Sequence, residues 1–424
     1  MIGDDYLNYD QEEEFADLIP RCESAFEDGT LESMRFSEEE FEYLINNFID
    51  EMDDDIVYIL TGMGYNQHPY STELTIRYAD VLIVNRETEK ALEILNKQMS
   101  LDSGNSDILF LLARVYIKKG DDEEAFSYIE RSLNLSQDEG LDMLLTAAQD
   151  YIDVNNFEKA ILLLKRAESI SPSNNELIND LAFCYERSDK LQESLHYYEK
   201  YLDIDPFNDN VWFNVGTIHA REQNIPKATD AFDYAIALNP DNSSVLYNKA
   251  ILLVNTGKYD DAIETFSNFL RLEPNNLFAL TGIADAYLAK DRIDDALKYF
   301  SMVLVFDPGN NDANCGLAYI HMLKHNQNEA FVHLRKVMGD EKTDYNFLQA
   351  ELLSSFKRTK NPEFLVYYLT SLYHTKETGL FNIYLEVLVA YDELWLARLF
   401  ELLPSLKRDE SVTRQLNKIK NKSN

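Results

Sequence analysis

The sequence predicts an all-α fold of stacked antiparallel helix pairs, and three observations lead to this prediction. Amphipathic segments recur every 34 residues: the segment from 259 reads YDDAIETFSNFLRLEPNN, and the segment from 293 reads IDDALKYFSMVLVFDPGN. Prolines keep the same spacing, and an asparagine follows each of them by two residues. Each period also holds two helical patterns separated by a turn. A fixed period of this length is typical of an array whose neighbouring units bury one continuous core.

The repeated prolines and asparagines mark the ends of the helices. Proline lacks a backbone N–H and ends the second helix of a pair, whereas asparagine is a good cap for the first helix of the next pair. Pro226 fits for a different reason, because proline is tolerated in the first turn of a helix. The spaced prolines are Pro172, Pro206, Pro240, Pro274 and Pro308, and the asparagines are Asn174, Asn208, Asn242, Asn276 and Asn310.

Eight units of this kind are predicted between residues 72 and 344. Small residues in the middle of both helices let the pair approach closely, and a large apolar residue fills the space between them. The unit from 277 shows the whole pattern, with Leu280, Ile283, Ala284, Tyr287, Ala296, Phe300, Val303 and Pro308. The eight units are 72–105, 106–140, 141–174, 175–208, 209–242, 243–276, 277–310 and 311–344.

This pattern resembles the tetratricopeptide repeat family. Units of that family carry a large residue at position 4, small residues at 8 and 20, aromatic residues at 11 and 24, alanine at 27 and proline at 32. The resemblance implies a right-handed superhelical solenoid, whose concave face is lined by positions 2, 5, 6, 9, 12 and 13 of each first helix. It also implies a non-enzymatic scaffold that binds a peptide or protein segment in the concave groove.

Four further regions are predicted outside the repeats. Residues 1–36 are acidic and are expected to form a disordered or loosely docked arm. Residues 37–71 form an N-terminal helical cap, in which Ser37 and Glu40 predict a capping box for a helix near 38–50. Residues 345–404 form degenerate C-terminal helical hairpins, with helices near 345–358, 362–374, 380–391 and 393–403. Residues 405–424 form a basic tail.

The charge of the chain argues against nucleic acid and anionic membranes as partners. The net charge is −36, from 39 basic and 75 acidic residues, and such a chain repels phosphate groups. No apolar run is long enough to span a bilayer, and the N-terminal sequence does not resemble a secretory signal. The three cysteines make no CxxC pair, so the sequence predicts a cytoplasmic protein without a disulfide framework or cofactor.

Candidate catalytic and metal sites are weak in this sequence. His321, His325 and His333 raise the possibility of a metal-dependent enzyme, but no glutamate follows His321 as an HExxH motif requires, so packing and surface polarity are favoured. The acidic run DEMDDDI from residue 50 lacks the spacing of a calcium loop. We therefore predict neither a catalytic centre nor a metal site, and no enzymatic activity.

The predicted binding residues lie at the concave positions of three successive units. Side-chain amides both donate to and accept from a peptide backbone, so a ladder of asparagines one repeat apart could hold an extended segment without reading its sequence. Aromatic and basic residues accompany these amides, although an ordinary polar surface is the simpler interpretation. The candidate residues are Asn179, Phe183, Arg187, Phe213, Asn214, Arg221, Tyr247, Asn248 and Asn255.

The charges at the lining positions predict a neutral or basic partner rather than an acidic one. These positions carry ten acidic and five basic residues over the eight units, and no three successive units supply the two-carboxylate clamp known in the family. The acidic residues are Glu73, Asp80, Asp107, Asp142, Asp153, Glu176, Asp180, Glu186, Asp285 and Asp312, and the basic ones are Arg77, Arg114, Lys118, Arg187 and Arg221. The acidic arm could also occupy the groove near Arg187 and Arg221.

Self-assembly into a homo-oligomer is an alternative function. Residues 364–400 contain nine aromatic residues, which form either the core of a terminal cap or an apolar surface for a dimer or another partner. The cap is favoured, because the last unit of an array must shield its outer face. The nine are Phe364, Tyr367, Tyr368, Tyr373, Phe381, Tyr384, Tyr391, Trp395 and Phe400.

Overall fold

The structure is a computed structural model that describes residue 15 and residues 17–136, 140–340 and 342–423. The other residues of the predicted acidic arm, 1–14 and 16, lie outside the described part of the chain. The chain divides into two compact units, Met1–Pro206 and Phe207–Asn424, which we call unit 1 and unit 2. Both units are helical, and no strand occurs in the described ranges.

Unit 1 contains the N-terminal helices and the first four predicted repeats. A helix α1 and a 3₁₀ turn, Leu31–Ser33, precede the hairpin of α2 and α3, and four further hairpins follow. The helices are α1 (Leu18–Glu27), α2 (Glu38–Asp50), α3 (Asp54–Gln67), α4 (Thr72–Val84), α5 (Thr88–Met99), α6 (Ser106–Lys119), α7 (Asp122–Leu135), α8 (Gly140–Asp153), α9 (Phe157–Ile170), α10 (Asn175–Arg187) and α11 (Leu191–Ile204).

Unit 2 contains the remaining four predicted repeats and the C-terminal helices. Its helices are α12 (Asp209–Arg221), α13 (Ile225–Leu238), α14 (Ser243–Asn255), α15 (Tyr259–Leu272), α16 (Leu277–Ala289), α17 (Ile293–Phe306), α18 (Asn311–Leu323), α19 (Gln327–Val337), α20 (Tyr345–Thr359), α21 (Pro362–His374), α22 (Thr378–Val389), α23 (Glu393–Leu402) and α24 (Glu410–Ser423). The two helices of each repeat pack against each other, and each second helix except α19 packs on the next first helix of its unit. The predicted all-α arrangement of helix pairs is confirmed.

The repeated asparagines cap the first helices as predicted. In all five cases the side-chain oxygen accepts a hydrogen bond from the backbone N–H three residues later. The bond satisfies one of the donors that a helix N-terminus leaves without an intrahelical partner. Ser37 and Glu40 form the predicted capping box at the start of α2. These caps fix where each first helix begins.

Small residues bring neighbouring helices into close contact, within one repeat at Gly216 and between successive repeats at Gly282 and Gly316. A Cβ atom built on Gly216 or Gly282 would lie 2.6 Å from the ring of Phe232 or Phe266, and one on Gly316 would lie closer still to the ring of Phe300. The three phenylalanines are all buried at position 24 of their repeats. The rings therefore lie directly on first-helix backbone, which leaves no space for a larger residue.

The turn inside every repeat places position 15 in the left-handed region of backbone conformation. Gly120 and Gly257 occupy two of the eight positions, and residues with side chains occupy the other six. Their φ angles lie between 58° and 63°, where a Cβ atom crowds the following carbonyl oxygen. The six are Arg86, Asn155, Asp189, Gln223, Asp291 and His325. The same turn forms whether or not glycine is present, so the packing of the helices imposes it.

The N-terminal segment of unit 1 is packed against the first hairpin. Leu18 and Cys22 of α1 are buried, as are Leu31 and Phe36 in the stretch that leads to α2. All four side chains belong to one apolar cluster with Phe41 and other residues of α2 and α3. Residues 17–36 therefore cover the outer face of the first hairpin.

The C-terminal aromatic residues of unit 2 lie mainly in the core of its last hairpins. Phe364, Tyr367, Tyr368 and Phe381 are buried. Tyr373, Tyr384, Trp395 and Phe400 are partly buried against the same cluster, while Tyr391 is 43% exposed. Most of this aromatic surface is therefore used to close the end of unit 2.

Candidate functional site

The candidate residues of unit 1 lie on α10. Two of them, Phe183 and Arg187, contact the ring of Phe157, which is not among the predicted residues. Phe183 packs edge-on against Phe157 with ring centroids 5.9 Å apart, and the Arg187 guanidinium lies 5.5 Å from the centroid of the same ring. Phe183 is 37% exposed, and Asn179 is half-buried one turn earlier on the helix. This cluster presents an aromatic edge and a cation on the surface formed by the first helices of successive repeats, which we call the first-helix face.

The candidate residues of unit 2 lie on α12 and α14, which pack against each other. Phe213 and Tyr247 are half-buried and contact the core rings of Phe232 and Phe266, with centroid distances of 6.1 Å in both pairs. The Asn248 amide donates from Nδ2 to the Ser244 carbonyl oxygen at 2.8 Å, so one of its two N–H groups is used within its own helix. Asn214 is half-buried, whereas Arg221 and Asn255 are exposed at the helix ends.

The first-helix face of unit 1 carries a network of ion pairs over α4, α6 and α8. Arg114 Nε lies 2.6 Å from Asp150 Oδ2, and the same guanidinium contacts Asp80. Lys118 Nζ lies 2.8 Å from Asp150 Oδ1 and 3.0 Å from Asp153 Oδ2. The network lines a cavity of about 510 Å³. Because each charge already faces an opposite one, this cavity offers little net attraction to a charged ligand.

The corresponding face of unit 2 carries carboxylates without such compensation. A cavity of about 500 Å³ lies over α16, α18 and α20 and is lined by Asp285, Asp312 and Asp344. In the described part of the chain none of the three forms an ion pair. Tyr319 and Phe347 form the aromatic wall of this cavity, with ring centroids 4.7 Å apart. We call this the acidic cavity, and its wall and charge suit a cationic side chain.

Burial and neighbouring charge raise the pKa of one carboxyl group in the acidic cavity. Desolvation, with a smaller contribution from Asp312, raises the pKa of Asp285 to about 6, although the residue as a whole is exposed. The opposite effect occurs in unit 1. There, burial acts against the ionised form of Asp153, but hydrogen bonds from Gln149 and Lys118 prevail and lower its pKa. A nearby cation would therefore be favourable at Asp285, while Asp153 already has one.

Two of the three histidines considered as metal ligands stack on each other. The rings of His321 and His333 lie parallel with centroids 5.7 Å apart, and His333 Nδ1 donates to Asn314 Oδ1 at 2.9 Å. Desolvation, with help from His321, lowers the pKa of His333 to about 4. His325 lies in the turn after α18 rather than on the helix. Among the described residues, no group of three His, Cys, Asp or Glu side chains is placed to hold a metal ion.

Sequence reasoning missed three parts of these surfaces. Phe157 belongs to a second helix, whereas the predicted lining positions all lie on first helices, and Asp344 and Phe347 lie at and beyond the last repeat boundary. The ion pairs had a signal that could have revealed them, since Arg114 follows Asp80 by 34 residues and precedes Asp150 by 36. Opposite charges one period apart lie on neighbouring first helices.

The structure of the chain is similar to several solved helical proteins. A MamA protein is 23% identical over 40% of this chain and 92% of its own, with a TM-score of 0.38. YrrB, described as a TPR protein with an unusual peptide-binding site, is 19% identical over 47% and 98%, with a TM-score of 0.39. PilF from Pseudomonas aeruginosa is 21% identical over 47% and 90%, also with a TM-score of 0.39. At these values the similarity says nothing about function.

Comparison of the sequence with curated proteins gives no match. No helix in the described ranges is long and apolar enough to cross a membrane. Two family models do match, and both describe the tetratricopeptide repeat. One matches residues 145–209, 187–243 and 247–311, and the other matches residues 85–148. Together they cover more than half of the 424 residues and agree with the helix pairs and their register, so the chain belongs to the tetratricopeptide repeat family.

Proposed function

We propose that this protein is a non-enzymatic scaffold that binds a neutral or basic peptide or protein segment on the first-helix faces of its repeats. Membership of the tetratricopeptide repeat family supports a protein-interaction scaffold in general. The acidic cavity is the observation that supports the finer statement. It combines three carboxylates with an aromatic wall on a first-helix face, and its volume of about 500 Å³ accommodates a long side chain.

A cationic ligand would favour the ionised form of Asp285. Desolvation raises its pKa to about 6, so ionisation costs more here than in water, although the carboxylate is still mostly ionised at pH 7. A lysine or arginine side chain entering the cavity would place a positive charge beside this carboxylate and could stack on Tyr319 or Phe347. An acidic segment would instead add a like charge to the three carboxylates. The cavity therefore supports selection for basic segments.

The asparagine pair of unit 2 would supply contacts to the backbone of the same kind of ligand. Asn214 and Asn248 lie at the same position of successive repeats, on helices that pack together. Even with one N–H bonded to Ser244, the Asn248 amide retains a second N–H and an acceptor oxygen. These groups could bind an extended main chain while the acidic cavity binds a cationic side chain. A cytoplasmic location is also part of the proposal, supported by three buried free thiols.

The proposal is tested with two labelled peptides that differ only in charge, Ala-Ala-Lys repeats and Ala-Ala-Glu repeats with a terminal tyrosine. By fluorescence anisotropy the full chain should bind the lysine peptide at least tenfold more tightly. Asp285→Asn with Asp312→Asn should remove most of this preference, and Asn214→Ala with Asn248→Ala should weaken both peptides without changing the melting temperature.

The control keeps the same change of net charge. Asp230→Asn with Asp261→Asn alters two exposed residues on the second helices α13 and α15, outside the acidic cavity. The control should retain the preference for the lysine peptide. Equal affinity of the wild-type chain for both peptides would refute the proposed charge selection.

A further inference from the structure

The stretch Leu31–Phe36, which we call the docked segment, is bound to unit 1 through its main chain as well as its side chains. Gln67 Nε2 donates to the Met34 carbonyl oxygen at 3.0 Å, and the Phe36 N–H donates to Gln67 Oε1 at 3.3 Å. His68 Nε2 lies 2.8 Å from the Phe36 carbonyl oxygen and donates to it. Two side chains at the end of α3 therefore bind three backbone groups of one extended stretch.

The side chains of the docked segment divide into two classes. Leu31 and Phe36 are 2% and 6% exposed and reach the apolar cluster of the first hairpin. Phe36 packs edge-on against Phe41 at a centroid distance of 5.3 Å, and Phe41 in turn packs against His68 at 5.8 Å. Glu32, Ser33 and Arg35 are exposed. The site thus selects two apolar side chains five residues apart and binds the backbone next to the second one.

The docked segment is also separable from the helices that it covers. Its 3₁₀ turn and extended part lie outside the helices of the first hairpin, and α2 begins after it with its own capping box at Ser37. A cavity of about 450 Å³, lined by Glu32 and Arg35 on one side and by Tyr58 and Lys90 on the other, leaves part of the segment without packing. Two buried side chains and three hydrogen bonds must offset the entropy of ordering six residues, so the net gain is small.

We propose that the outer face of the α2–α3 hairpin, with Phe41, Gln67 and His68, is a peptide-binding site that the chain's own docked segment occupies. Its partner is a protein segment with the same chemistry, an aliphatic residue followed five positions later by an aromatic one, in an extended main chain. Such a partner displaces the docked segment by making the same contacts. The site lies outside the first-helix faces of the repeats, so the proposal does not depend on the function proposed above.

The test uses the full chain and a fluorescein-labelled peptide with the sequence of residues 29–37, GTLESMRFS. Phe36→Ala vacates the aromatic position within the chain and should raise its affinity for the peptide at least tenfold over wild type. Adding Gln67→Leu to this variant should lower its affinity for the peptide at least tenfold. Adding Asn66→Leu instead, at the exposed neighbouring position, should leave the affinity unchanged. A peptide with alanine in place of its phenylalanine should fail to bind. Equal binding by wild type and Phe36→Ala, or no effect of Gln67→Leu, would overturn the proposal.

A second measurement is independent of whether Phe36→Ala folds. Hydrogen exchange of the wild-type chain is followed by mass spectrometry, with and without 1 mM unlabelled peptide. The peptide should accelerate exchange at residues 31–36 at least threefold, and the alanine-containing peptide should not. Exchange that is unchanged by the peptide would show that the segment is a fixed part of the fold and would overturn the proposal.

Discussion

The first-helix faces of the two units use charge in opposite ways. In unit 1, Arg114 and Lys118 neutralise Asp80, Asp150 and Asp153, and the guanidinium and the Asp150 carboxylate are largely buried. In unit 2, Asp285, Asp312 and Asp344 share a cavity without an ion pair in the described part of the chain. One repeat pattern can therefore either use its charged side chains to hold neighbouring helices together or leave them available to a partner.

The largest expected effect comes from breaking the network of unit 1. Arg114→Met removes the cation but leaves Asp150 buried, with only Lys118 to face it. Removing one partner of a buried pair costs about 3–5 kcal/mol, and the remaining lysine should reduce this to about 3 kcal/mol. Urea unfolding followed by circular dichroism measures the loss. Arg77→Met, which breaks the more exposed pair with Glu73, should cost under about 1 kcal/mol. A similar small loss for Arg114→Met would mean that the network contributes little.

A smaller effect is expected from filling the close contact beneath the acidic cavity of unit 2. Gly316→Ala places a methyl group against the buried Phe300 ring, and overpacking of this kind costs about 1–3 kcal/mol. Gly379→Ala is the matched control, because no atom lies within 4 Å of its added Cβ and alanine favours a helix by about 1 kcal/mol. Trp212 and Trp395 both lie in unit 2, so their fluorescence during urea unfolding reports on this unit. Stabilisation by both substitutions would contradict the close packing.

The smallest effect concerns pH and separates the two faces directly. The pKa of Asp285 is raised in the folded state, so its contribution to stability is fully present below pH 4 and is lost as the pH rises through about 6. The pKa of Asp153 is lowered, so its contribution is present at neutral pH and is lost in acid. Asp285→Asn should therefore stabilise unit 2 at pH 7 by up to about 1 kcal/mol, after allowing for solvent screening, and not at pH 4. Thermal melts of this variant at the two pH values check this expectation.

Much of the fold could be predicted because its determinants repeat. The asparagine caps and the small residues facing Phe266 and Phe300 recur at one spacing, and each acts within one helix pair or between adjacent ones. The acidic character of the unit 2 face was also predictable, since Asp285 and Asp312 occupy lining positions of their repeats. What could not be predicted was whether each lining charge has a partner, because that depends on side chains from three helices at once.

The docked segment shows a second limit of sequence reasoning. The acidic composition of residues 1–36 predicted a disordered or loosely docked arm but not the residues that would contact it. The Phe36 N–H donates to Gln67, which lies 31 positions further along the chain. This separation does not match the period of the repeats, so no pattern in the sequence points to it. The candidate residues Phe183 and Arg187 illustrate the same point, since Phe157, the ring that joins them, lies on the preceding second helix.

The six left-handed residues inside the repeat turns have a consequence for how this protein can change. The conformation costs most residues with a side chain about 1–2 kcal/mol, and asparagine, aspartate and histidine less. Glycine would remove this cost but would give the unfolded chain more freedom, so a net gain in stability is expected at Arg86 and Gln223. One of these positions, Gln223, lies in the same repeat as Asn214. A binding surface that loses stability while it acquires a new specificity could therefore be rescued by a substitution in a turn that takes no part in binding. The turns provide a reserve on which the evolution of new partners can draw.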